Sequence, residues 1–386
     1  MYATALLRLR AALALFATGA LVGGPWDMLW HLDHAFESFF SPPHLFIYGL
    51  AAASMALVAS ILFDGKLRAT FSRGDAGAPS GRALPPALLF LAGGLLVVLT
   101  SGLLDELWHG AFGVDETRLS APHAMFGWGL LVAVLGFGSA RLALAARAPL
   151  GPLEAALLAV LALAFSLYAF LLPFLVYSTD TTLAAIAGLP VIQAQPGAAH
   201  TFRIYEAWHI ERANLVFVPL AALWGGLAAS LAGLFDGRKS TAVASVALAT
   251  AVYALLWYGF ALRLGLAGDL RTWLPLPLLP ALLVLVAGAR FEWPASRTEW
   301  MAGAAFAGIT ILAWPPSVGV GNPIVAAAAF AAGVLAFKGA GFFIGAVGGV
   351  VAEPEARRVE AIVVVLGFLV PFGLGLLDLF MRAGTA

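Results

Sequence analysis

Apolar positions dominate the chain and gather in runs of the length a bilayer-spanning helix needs, about 20 residues, with short polar stretches between them. Read run by run, they predict about eleven helices, at 4–25, 44–63, 84–104, 123–146, 151–176, 213–235, 241–262, 273–290, 299–314, 323–350 and 359–380. The expected fold class is therefore an all-α, polytopic membrane bundle. Two connections are long. Residues 64–83, rich in Gly, Ser, Ala and Arg, read as a mobile loop without a site of its own. Residues 177–212 end in Tyr-Glu-Ala-Trp-His-Ile-Glu-Arg and read as an outer cap.

The first run follows Arg8 and Arg10 in the manner of a signal peptide, but the polar cluster directly after it argues that it is retained. The organisation expected is a domain at 1–146, made of two helix-turn-helix halves at 1–63 and 84–146, followed by further spanning helices at 147–386.

Composition agrees with this. Of 386 residues, 62% are hydrophobic and 11% charged, against about 25% charged in an ordinary soluble domain; the mean hydropathy is +0.94. With 21 basic and 21 acidic residues the formal charge is zero, so nothing draws the chain to nucleic acid. Cysteine is absent, which removes disulfides, thiolate metal sites, iron–sulfur clusters and cysteine nucleophiles. Any metal must sit on nitrogen and oxygen.

Charge also orients the helices. With the N-terminus inside, fourteen of the 21 basic residues fall at inner ends and loops, six at outer ones, and Lys338 within a span, as the positive-inside rule requires. The N-terminus is thus expected in the cytoplasm, and the protein in the cytoplasmic membrane. All seven histidines then lie toward the outer face with Asp27, Asp105, Glu106, Glu206 and Glu211.

The chemistry resides in an internal repeat. Residues 27–44 read DMLWHLDHAFESFFSPPH and residues 105–123 read DELWHGAFGVDETRLSAPH. Both have the form Asp-x-Leu-Trp-His, a polar connection, then Ser-x-Pro-His. Asp and His four apart stack on one helix face, with Cβ atoms about 5–6 Å apart, so Asp27 with His31 and Asp105 with His109 can converge on one ion. Ser41 and Ser120 are placed to cap the returning helix, whose first turn tolerates Pro42, Pro43 and Pro122. His44 and His123 begin that helix and face back toward the carboxylate. Trp30 and Trp108 suit the aromatic belt at the lipid interface.

A single such pair is commonly just an interfacial polar residue, but ionisable groups near a bilayer are costly unless paired or coordinated, and here the pattern occurs twice. A site of two imidazoles and one carboxylate favours copper or zinc, accepts iron, and is too poor in oxygen for magnesium or calcium. It leaves coordination positions open for small molecules. Histidines serving two haems on one helix are disfavoured, because acids and prolines interrupt the helix between them.

These residues resemble a known family. Asp-x2-Trp-His with Phe40-Ser41-Pro42-Pro43-His44 and Tyr48 is similar to the segment that carries the ligands in the C subunit of particulate methane and ammonia monooxygenases, the copper membrane monooxygenases. The resemblance implies one copper site at Asp27, His31 and His44, and a second at Asp105, His109 and His123. At the second, the family has Asn where this chain has Asp105. It covers about residues 20–135. What it implies is oxidation of a small apolar molecule or ammonia with dioxygen, electrons from a quinol or other donor, and further monooxygenase-type subunits or copies of the chain. The alternative class is a non-catalytic copper or zinc handling or structural subunit, or an ion-relay transporter, for which Lys338, Asp378 and Glu154 are candidates.

His34, Glu106, His200, Glu206 and His209 stand as extra ligands or as groups that orient the ligands. Met28 and Met125 adjoin ligands, although packing accounts for them. The pattern Gly341-x3-Gly345-x3-Gly349 reads as close helix packing. No Walker loop, dinucleotide fingerprint, Ser/His/Asp elbow or HExxH motif occurs.

Overall fold

The computed structural model describes residues 1–34, 38–71, 84–112, 121–145, 147–166 and 279–313, with scattered positions in 243–251 and 327–338. These are helical and contain no strand. The expected spans at 213–235 and 359–380, most of 241–262, the loop 177–212, Ser120, Asp378 and Gly341 to Gly349 lie outside the described residues. The described residues fall into two units, one within Met1–Gly151 and the other within Pro152–Ala346.

In the first unit, α1 (Tyr2–Thr18) passes through a π-helical turn at Gly19–Gly23 into α2 (Gly24–Asp33). The others are α3 (Pro42–Phe63), the short α4 (Gly65–Arg68), α5 (Pro86–Phe112) and α6 (Ala121–Leu144). Among the described residues, four stretches are long and apolar enough to cross a membrane: Tyr2–Asp27, Pro42–Phe63, Pro86–Ala111 and Ala121–Leu144. They correspond to the first four predicted spans. α2 and α5 run beyond their predicted ends, to Asp33 and Phe112, so Asp27, His31, Asp105 and His109 are all helical.

The four long helices pack as an up-down ring: α1 on α3, α3 on α5, α5 on α6, and α6 back on α1. α5 and α6 meet most extensively, and glycine is the reason. A Cβ at Gly94 would lie 2.4 Å from the Ala133 amide nitrogen, and one at Gly136 would lie 2.4 Å from the Leu91 Cα. Lipid supplies no hydrophobic drive between helices, so close backbone contact through small residues supplies the attraction. On the other side, Gly23 of the π-helical turn receives Ile47, whose Cγ1 would be 2.5 Å from an added Cβ.

One end of the ring is basic. α3 leaves its last-turn carbonyls without helical partners, and arginines fill the gap: Arg8 donates to the carbonyl and hydroxyl of Ser60, and Arg68 to the Leu62 carbonyl. The Tyr2 hydroxyl donates to the carbonyl of Leu144, the last residue of α6, and Arg147 lies over the Tyr2 ring. Arg141 is fully buried, with its guanidinium donating to the Ala148 carbonyl.

Two local expectations need correction. The loop predicted at 64–83 begins as structure: Asp64 caps α4 by accepting from the amides of Lys66 and Leu67, a 3₁₀ turn follows at Ala69–Phe71, and Leu67 and Phe71 are buried. Residues 72–83 lie outside the described residues. Ser41 takes the N-cap position of α3 with extended backbone, yet its side chain makes no cap bond. Pro42 and Pro43 remove two of the four N–H groups that a cap would serve.

The second unit contains α7 (Pro152–Ser166), α8 (Leu279–Arg290) and α9 (Ala295–Ala313). α7 covers the first part of the span predicted at 151–176, and the rest of that span lies outside the described residues. α8 closes with Glu292 in left-handed backbone, φ 52°, and the Trp293 amide donates to the Gly288 carbonyl, a six-residue Schellman closure. Gly303 of α9 abuts Gly333, 2.8 Å from Cα to a built Cβ, and Lys338 Nζ lies 4.0 Å from Glu299 Oε2.

A candidate carboxylate and imidazole centre

Helix direction alone carries the repeated acids and imidazoles to the end of the ring opposite the arginines. In the first repeat Asp27 stands in the first turn of α2 and His44 in the first turn of α3; His44 Nε2 lies 3.1 Å from Asp27 Oδ1. His31 follows Asp27 by one turn on α2, and its side chain lies outside the described residues, as does that of Met28.

In the second repeat the carboxylate of Asp105 is shared. Its Oδ2 is 3.4 Å from His109 Nε2, one turn on along α5, and its Oδ1 is 3.5 Å from His123 Nδ1 at the start of α6. Asp105 Oδ1 is buried and makes no hydrogen bond to any described residue. All the acids and imidazoles in these contacts are partly sheltered, with side chains 15–27% exposed. The repeats are neighbours, since the Phe39 amide of the first donates to the Glu106 carboxylate of the second.

Aromatic rings fill the space between them. Tyr48, one turn along α3 from His44, has its ring centroid 6.1 Å from that of His44, 5.3 Å from Phe39 and 5.8 Å from Phe126. It lies against α5 at Gly102, where an added Cβ would be 2.5 Å from Tyr48 Cζ. Gly102 stands three residues before Asp105, as Gly24 does before Asp27. At Gly24 nothing approaches within 4 Å, so the repeats differ in what their glycine receives.

Of the remaining candidates, His34 is exposed at the end of α2, its ring stacked on Trp30 at 4.0 Å and its Nδ1 3.1 Å from the Trp30 carbonyl. Glu106 accepts the Phe39 amide of the other repeat at 2.7 Å. Met125 is buried. His200, Glu206, His209 and Glu211 lie outside the described residues.

The donor chemistry suits a nitrogen- and oxygen-seeking ion. Ligands about 2.0–2.1 Å from a tetrahedral ion lie about 3.3–3.4 Å from each other; the Asp105 contact to His109 has that length at 3.4 Å and the one to His123 is slightly longer at 3.5 Å. The imidazoles, however, are not gathered as a finished cage: the His109 and His123 ring centroids are 6.3 Å apart at 72°, and no group of three His, Asp or Glu among the described residues is arranged to hold an ion. Both rings must turn toward a common point for an ion to be held.

Together these features define a class, a helical membrane protein with paired acids and imidazoles at one end of its bundle. Compared with protein-family models, with curated proteins and with solved structures, the chain matches none of them.

Proposed function

We propose that this is a copper-binding membrane protein, as its resemblance to copper membrane monooxygenases implies, with Asp27, His31 and His44 as one ligand set and Asp105, His109 and His123 as the other. The observation that carries the reading is the Asp105 carboxylate, whose two oxygens each face a different imidazole at ligand-to-ligand distance. Its buried Oδ1 is a polar atom whose desolvation calls for a cation.

Copper, when bound, supplies the redox chemistry needed to use dioxygen on a small apolar substrate or ammonia, one oxygen atom entering the product and the other leaving as water. The electron pair comes from a quinol or similar donor. The chain's own part is to hold donors on rigid helices, exclude water with Tyr48, Phe39 and Phe126, and admit substrate from lipid. Asp105, where the family has Asn, brings a further negative charge to the second set. In the proposed orientation the N-terminus is cytoplasmic and both sets lie toward the outer face of the cytoplasmic membrane. Further spans beyond the first four complete the bundle of about eleven.

Copper analysis with electron paramagnetic resonance on the purified protein tests the metal claim. Wild type is expected to bind stoichiometric copper, and His109→Ala and His44→Ala each to lose one signal. Copper that stays far below one equivalent rejects the metal reading. Absence of quinol-dependent oxygen uptake over small hydrocarbons and ammonia rejects the catalytic one. A second reading, an ion-relay protein, draws on the Lys338 and Glu299 pair in the second unit, since intramembrane charges commonly mark ion paths.

A further inference from the structure

The repeats differ at the position after their first aspartate, which is Met28 in one and Glu106 in the other. Glu106 turns away from its own cluster. Its Oε2 accepts the Phe39 amide at 2.7 Å, in the turn that joins α2 to α3. One residue earlier, the Ser38 carbonyl stands 3.2 Å from His44 Nδ1, while His44 Nε2 faces Asp27 at 3.1 Å. The ring thus stands between two acceptors, the Ser38 carbonyl at Nδ1 and the Asp27 carboxylate at Nε2, and the pair fixes its plane and direction. Metal-binding histidines commonly have their second nitrogen held in this way.

We propose that Glu106 is a positioning residue for the opposite repeat: by anchoring the turn at Phe39 it holds the Ser38 carbonyl against His44 and so fixes that ring's direction. The helix that carries one ligand set thereby sets the geometry of the other. The value of this for copper rests on the reading above, whereas the hydrogen-bonded relay does not.

The test uses metal-free, full-length protein with ¹⁵N-labelled histidine, at a pH where the imidazole is neutral, with the His44 signals assigned by their loss in His44→Gln. Wild type and Glu106→Gln, which keeps an acceptor, are expected to show the same pair of His44 ring nitrogen shifts. Glu106→Ala, and Glu106→Asp with its retracted carboxylate, are expected to show the Nδ1 shift displaced as the Ser38 carbonyl moves off that nitrogen. On copper titration those two variants should lose about tenfold or more in affinity at the first set, while Glu106→Gln stays close to wild type.

Unchanged His44 ring nitrogen shifts in both Glu106→Ala and Glu106→Asp overturn the proposal, as does Glu106→Gln behaving like Glu106→Ala. If wild type takes up no copper but the His44 shifts still follow Glu106, the relay stands and the metal reading fails. Should Glu106→Ala not fold, the contrast between Glu106→Asp and Glu106→Gln decides alone.

Discussion

At the scale of single residues, the strongest contrasts are glycines that seat a neighbour. Gly94→Ala would press a methyl into the Ala133 backbone and is expected to destabilise the α5 and α6 pair by about 1–3 kcal/mol, readable as a lowered melting temperature in detergent. Gly102→Ala should displace Tyr48 and alter the copper spectrum, whereas Gly24→Ala, with open space around it, should not. Glu292 offers the reverse case. Left-handed backbone costs a non-glycine residue about 1 kcal/mol, so Glu292→Gly is expected to stabilise by up to that amount. The repeat made the meeting of Asp105 with His109 legible in the sequence, because a spacing of four on a helix has a fixed geometric meaning, and that of Asp27 with His44 and of Asp105 with His123 followed from the turn that sends the next helix back. The partner of Glu106 was not legible. It lies 67 positions away, and the only trace was that an acid replaces the methionine of the first copy.

Among the helices, length and polarity were readable and ends were not. Spanning runs follow from hydropathy, but Asp27 and His109 continue their helices into polar sequence because helical hydrogen bonds do not depend on the side chain being apolar. The segment after α3 reads as loop because Gly, Arg and Ser outnumber apolar residues there, and a cap by one acid, Asp64, leaves no periodic trace. That cap carries a pH signature. Hydrogen bonds from the Leu67 and Lys66 amides hold the Asp64 carboxyl below its ordinary value of 3.8. A depressed carboxylate stabilises above its unfolded pKa, and the contribution is lost as pH falls through the folded value. Protection of the Lys66 and Leu67 amides against exchange is therefore expected to fall on acidification below about pH 4, and in Asp64→Ala to be low at every pH.

For the molecule as a whole, the arginine end and the acid and imidazole end give the bundle a polarity that four apolar helices alone would lack. The proposed orientation predicts that a reagent confined to the outside labels a cysteine introduced at Phe40 and not one introduced at Lys66. Copper at a hundred times its dissociation constant should stabilise the fold by about 2.7 kcal/mol, an increment that a chelator removes. The π-helical turn at Gly19–Gly23 has a consequence for how such a chain tolerates changes of length. A π turn holds one residue more than the α turn it replaces, so deleting Leu21 can be absorbed by reverting to ordinary winding, with Asp27 still aimed at its partner. The same loss at Ala52, inside α3, has no slack to draw on and would swing the two ends of that helix about 100° out of step.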